Sequence, residues 1–180
     1  MNKHELLQFN HSNIQDLIKF IDQKAGALLI IYGFLFTATI EFAKDLEFIN
    51  PFMLNEPIKS LFSIITFISG LAIIILLIYQ IYIVLFEIIK PRGAKNYTQE
   101  EQSIIYFDHI SKRSKTEFLS YFNQISDDDF GEIIEKELIQ QVYEISCIMK
   151  SKSEKFNEVL KFLFISVFLL LTFILFSRLV

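Results

Sequence analysis

Polar and apolar residues are segregated into long blocks along this chain. Three stretches, 25–40, 60–86 and 162–177, contain no charged residue. A helix needs about 20 mostly apolar residues to cross ~30 Å of hydrocarbon. The middle stretch exceeds that length and must tilt or protrude. The outer two reach it when Lys24, Glu41, Lys161 and Arg178 lie at the interfaces, their side chains reaching toward water. The pattern therefore predicts an all-α membrane protein with spans at 25–43, 60–87 and 157–178 and an external loop at 44–59. A secretory signal fits the first span poorly. Its apolar run starts only after residue 24, and no small-residue cleavage site follows, so no cleavage is expected.

Lysine and arginine set the expected orientation. Lys3, Lys19 and Lys24 precede the first span. The loop after it has only Lys44 and Lys59 among Glu41, Asp45, Glu47 and Glu56. Beyond the second span stand Lys90, Arg92, Lys95, Lys112, Arg113, Lys115, Lys136, Lys150, Lys152 and Lys155. The positive-inside rule puts the N-terminal segment, 1–24, and residues 88–156 in the cytoplasm. Tyr79 and Tyr82 fall where an inner aromatic belt is expected.

The flanking regions read as helix continuous with the spans. Ile14, Leu17, Ile18, Ile21, Ala25 and Leu28 mark one helix face, predicting a helix from about 13 to 43 with Ser12 or Asn13 as its cap. That placement leaves His4 and His11 near a frayed terminus. Pro91 and Gly93 end the second span's helix. Thr98 to Glu101 and Ser114 to Glu117 have capping-box spacing. The short apolar run 104–107 fits strand, loop or helix. Ser126 followed by three aspartates is a strong helix start. From there Ile134, Leu138, Gln141 or Val142, Ile145, Ile148 or Met149, Phe156 and Val159 recur at helical steps, with no proline before the C-terminus. One helix over about 127–177 is predicted, roughly 75 Å long, half stalk and half span.

Composition narrows the chemistry. The 180 residues are 52% hydrophobic and 21% charged, and a net charge of −4 offers no general field for nucleic acid. A single cysteine, Cys147, excludes a disulfide framework within the chain and reads as a small buried residue. No phosphate-binding glycine loop, nucleophile elbow or zinc motif occurs, so no catalytic residue, metal site or cofactor is expected and the chain reads as a non-enzyme. No acidic or basic residue sits mid-bilayer in any span, which argues against a proton-coupled transporter or voltage sensor. Gly26, Gly33 and Thr37 can share one side of the first span, and Ser63, Thr66 and Gly70 one side of the second; such small residues allow close packing, the commoner use, or can line a pore. One basic stretch flanked by aromatics, from Tyr106 through His109, Lys112 and Arg113 to Lys115, can hold a phosphate and stack a base. By composition alone, contact with anionic lipid explains it better.

Three segments together resemble the small transmembrane effectors of Pycsar antiphage defence. The first is Asp22-Gln-Lys24-Ala25, where the family reads D-x-K-A. The second is Phe107-Asp-His109-Ile110, for F-x-H-I. The third runs from Glu137 through Leu138, Gln141, Val142, Ile145, Ser146 and Ile148 to Lys152, for D-L-x-x-Q-I-x-x-L-S-x-I-x-x-x-K-Y. Departures are Glu137 for Asp, Val142 for Ile, Ile145 for Leu and Ser153 for the aromatic residue. The resemblance covers about 13–177.

It implies a two-part system. A neighbouring pyrimidine cyclase makes cyclic CMP or cyclic UMP on infection, and the effector impairs the bacterial inner membrane, causing abortive infection. On this reading residues 88–156 are the sensor domain, the partners are the cyclic mononucleotide and membrane lipid, and the chain is a homo-oligomer. Tyr106, His109, Lys112, Arg113 and Gln141 are the expected nucleotide-binding residues. Asp22, Lys24 and Lys152 are the expected structural or gating residues. The alternative is a membrane scaffold or receptor subunit that binds a protein partner. A holin-like pore former needs no cytoplasmic domain of this size.

Overall fold

The computed structural model describes residues 2–44, 57–91 and 103–179. Among them there is helix and turn but no strand. The elements are α1 (Lys3–Lys44), α2 (Pro57–Ile83) continued by a π-helical turn (Val84–Ile89), α3 (Phe107–Ser111), α4 (Lys115–Gln124) and α5 (Asp127–Ser177). Three helices are long and apolar enough to cross a membrane: α1, α2 with its π turn, and α5.

Local chemistry explains the ends. α1 starts at Lys3 rather than near residue 13, because Asn2 makes a reciprocal cap. Its Oδ1 accepts from the Glu5 N–H (2.7 Å), and its own N–H donates to Glu5 Oε2 (3.0 Å). His4 and His11 therefore lie within the helix, paired with Gln8 (2.9 Å) and Gln15 (3.3 Å) one turn on. Burial pushes the His11 imidazole below its usual range. Pro57 opens α2, where its missing N–H has no helical partner to lose. The π turn closes with the Lys90 N–H donating to the Leu85 carbonyl (3.1 Å). Lys90 is extended, as a residue preceding proline prefers, so Pro91 stops the helix as expected. Gly93 and the Thr98 capping box lie outside the described residues. Ser114 and Glu117 form the predicted capping box of α4, and Ser126 caps α5 through the Asp129 N–H (3.2 Å).

The chain divides into two compact units. One comprises Met1–Phe20 and Pro91–Lys152, the other Ile21–Lys90 and Ser153–Val180. The second unit contains the apolar parts of α1, α2 and α5. Buried positions recur there every seven residues: Ala25, Tyr32 and Thr39 on α1, Thr66, Ile73 and Gln80 on α2, and Val159, Ser166 and Phe173 on α5. This is the repeat of left-handed helix packing. α2 and α5 run antiparallel. Phe62 meets Phe176 (centroids 5.5 Å) toward one end, and Tyr79 meets Phe162 edge-on (5.9 Å) toward the other. At that second end Lys155 pairs with Glu158 (2.8 Å), and these contacts, with Tyr79 and Glu87 nearby, hold its ammonium above the usual range. Phe34, Phe164 and Phe168 are 72%, 77% and 69% exposed, which suits a surface facing lipid and not water.

The small residues divide unevenly. A Cβ on Gly70 would meet the Phe173 ring at 2.9 Å, whereas one on Gly26 or Gly33 would meet nothing within 4 Å. Gly70 serves close packing as expected. Gly26 and Gly33 show no such contact among the described residues, and Thr37 is exposed. Cys147 is half-buried rather than buried.

The first unit packs Leu138 and Ile145 of α5 with Ile104 and Tyr106 in its core. Lys3 pairs with Glu135, and Phe122 of α4 lies between Phe118 (6.2 Å) and Phe130 (5.8 Å).

Gly70→Leu overpacks the α2–α5 seam and should cost about 1–3 kcal/mol. Thermal unfolding in detergent should show the loss, partial recovery on adding Phe173→Ala, and no loss in Gly33→Ala. In α4, Ser114→Ala removes a cap worth about 1 kcal/mol, so amide exchange at Glu117 should quicken roughly fivefold. The Ser114 hydrogen bonds hold the Glu117 carboxyl below its ordinary 4.5. A depressed folded-state value adds stability above that ordinary value and loses it as pH falls through the folded one. α4 should therefore fray in acid, and Glu117→Gln should abolish that pH dependence.

Candidate ligand-recognition site

The apolar run 104–107 is neither strand nor simple helix. It is a turn built by Ser103, whose side-chain oxygen accepts from the N–H groups of Ile105 (3.1 Å) and Tyr106 (2.9 Å). That turn satisfies two backbone donors and launches α3, with Tyr106 as its first extended neighbour. The Ser103 hydroxyl donates in turn to Glu137 of α5. Its main-chain N–H donates to His109 Nδ1 (3.1 Å), which assigns the ring proton to Nε2. Tyr106 packs edge-on against His109 (5.4 Å between centroids). One fully buried serine thus ties the 107–110 segment to the long helix.

Of the residues expected to bind nucleotide, Tyr106 and His109 are brought together in this cluster. Tyr106 is only 5% exposed, so its ring serves the core. Gln141 is half-buried, one turn beyond Glu137 on α5. Lys112 is exposed at the end of α3. The half-buried Arg113 lays its guanidinium over the Tyr121 ring, 4.6 Å from the centroid. That contact pre-orients a planar cation beside two exposed lysines, Lys112 and Lys115, an arrangement able to hold a phosphate. Among the gating candidates Asp22 is half-buried and Lys24 exposed, while Lys152 is buried (3% exposed).

Sequence reasoning missed Ser103, Tyr121 and Glu144. A serine before an apolar run is a faint signal of a side-chain-built turn. Tyr121 lies on α4, eight residues beyond Arg113, and no local motif links the two. Glu144 is 2% exposed on α5, and nothing in its spacing distinguishes it from solvated neighbours. Buried charges persist only when partnered, and both Glu144 and Lys152 have interaction partners. Among the described residues no group of His, Cys, Asp and Glu could hold a metal ion.

No solved structure matches this chain significantly. A relative, the Pycsar effector protein SaPycTM of Staphylococcus aureus, is 28% identical over 166 residues, covering 92% of this chain and 89% of that protein. The family model for the Pycsar effector protein domain matches residues 6–178, which include every motif position and the apolar stretches of all three long helices. The chain belongs to the Pycsar effector family of membrane proteins and is an effector of antiphage defence.

Proposed function

We propose that this chain is the membrane-impairing arm of a two-part defence system. A neighbouring pyrimidine cyclase supplies cyclic CMP or cyclic UMP on infection. The chain binds it through a site formed by His109, Lys112, Arg113 and Gln141, with Tyr106 and Ser103 holding the site's shape. It then assembles with further copies and breaches the bacterial inner membrane before phage mature. The N-terminus and residues 88–156 face the cytoplasm, where the lysine and arginine excess puts them. It needs no catalytic group and no cofactor.

The observation that carries this reading is the Ser103 junction on α5. A ligand can shift a conformational population only through its difference in affinity for two states. A phosphate drawn to Arg113 and His109 acts on a segment hydrogen-bonded through Ser103 to Glu137. Glu137 belongs to a helix that stays helical through 151–157 and onward to Ser177. Repositioning α5 is therefore the shortest physical route from ligand to membrane. Asp22, Lys24 and Lys152 are proposed to brace the helices where that route meets the lipid surface.

Calorimetric titration of the full-length chain in detergent with each cyclic nucleotide tests the site. Arg113→Ala and His109→Ala should each weaken binding about tenfold, the scale of one lost charge-assisted hydrogen bond. Unchanged affinity in both removes this site from consideration. Ser103→Ala tests the coupling. It should expose the Ile105 and Tyr106 amides to exchange and suppress membrane permeabilisation in liposomes, even at nucleotide concentrations that saturate it.

A further inference from the structure

The hydroxyl groups of the apolar helices are nearly all answered within their own helix. Thr37, Thr39, Thr66, Ser166 and Thr172 donate to the carbonyl four residues back, and Ser69 and Ser177 to the one three back. Tyr32 reaches across to the Val159 carbonyl (3.5 Å). Gln80 differs from all of them. It is fully buried on the Thr66–Ile73–Gln80 series of α2, and its Nε2 donates to Ser166 Oγ of α5 (2.6 Å). Its Oε1 is buried too, and no donor among the described residues reaches it. The Ser166 hydroxyl proton is already spent on the Phe162 carbonyl. In hydrocarbon such an acceptor has no water to turn to.

An apolar residue would fill this position without that cost. A polar group at one seam position trades stability for a specified partner. The carboxamide is suited to one partner above others, an identical carboxamide. Two copies related by a two-fold axis bring position 80 opposite position 80. Each amide then donates one N–H and accepts one, and neither oxygen is left over.

We propose that Gln80 is a partner-exchanging amide. Ser166 of the same chain holds it in the closed bundle, and Gln80 of a second copy holds it once α5 moves away. Its buried, unmatched oxygen biases the bundle toward that exchange. This rests on the reading of the chain as a membrane-impairing assembly.

The test uses the full chain in dye-loaded liposomes, with and without cyclic CMP and cyclic UMP, and oligomer mass measured in detergent. Gln80→Met conserves volume and removes the amide. It should fold, bind nucleotide as the parent chain does, and lose at least tenfold in dye release and oligomer yield. Ser166→Ala frees the amide. It should oligomerise and leak without nucleotide, and adding Gln80→Met should reverse both effects. Dye release by Gln80→Met equal to the parent chain's, or a Ser166→Ala variant that stays monomeric and tight, overturns the proposal. If the parent chain answers neither nucleotide, the functional reading above fails. The Ser166→Ala comparison needs no ligand and still decides this one.

Discussion

Inside hydrocarbon a polar group must find its hydrogen-bond partner within the protein, and that constraint governs the second unit of this molecule. It makes each apolar segment a helix, since only a helix satisfies every backbone group along its own length. It also turns most hydroxyls back onto their own helix, which makes threonine and serine tolerable there. What remains for holding the helices together is shape. The Phe173 ring lies against Gly70, and aromatic pairs stand at both ends of the α2–α5 seam. Lipid tails are as apolar as leucine, so close packing and the few cross-helix hydrogen bonds carry the association. Gln80 with Ser166 is the strongest of those bonds by distance.

The first unit solves a different problem, because water competes for every polar group. Besides the ends of the long helices α1 and α5 it holds the short α3 and α4, and helix starts are fixed by side chains: Asn2 with Glu5, Ser114 with Glu117, Ser126 with Asp129. The deeper organisation comes from Ser103, which answers two backbone donors, a histidine and a glutamate at once. Such a network is worth more than its separate bonds, since losing one member leaves several buried groups without partners. The family motifs at 107–110 and 137–152 meet in this network, so the residues that carry the resemblance also share a physical task.

Two helices, α1 and α5, belong to both units. α5 supplies Glu137 and Leu138 to the first unit and Val159, Ser166 and Phe173 to the second. Most of its buried positions follow a seven-residue series, Leu138, Ile145, Lys152, Val159, Ser166 and Phe173, with Glu144 and Leu170 outside it. Lys152 closes the part belonging to the first unit. A buried lysine there is an expensive choice that hydrophobicity alone would not predict, and it is tolerated because it has interaction partners.

Much of this was legible from residue order. Uncharged runs must be helices in lipid, whatever their neighbours, so the three apolar helices and the start of α5 at Asp127 followed from composition and capping chemistry. The family resemblance rested on motifs that are local in sequence. The start of α1 is not legible in the sequence, because Asn2 is chemically equivalent as a cap to Ser12 or Asn13, and only the Asn2–Glu5 geometry separates them. Sequence could not say which small residues would be used, because Gly33 and Gly70 differ only in what lies opposite. It could not show Ser103 joining His109 to Glu137, which are 28 residues apart. Nor could it pair Gln80 with Ser166, 86 residues away. Patterning fixes which segments are helical because that is a property of each segment in its solvent; partners are a property of the assembled tertiary structure, which alone brings distant positions to within hydrogen-bonding distance.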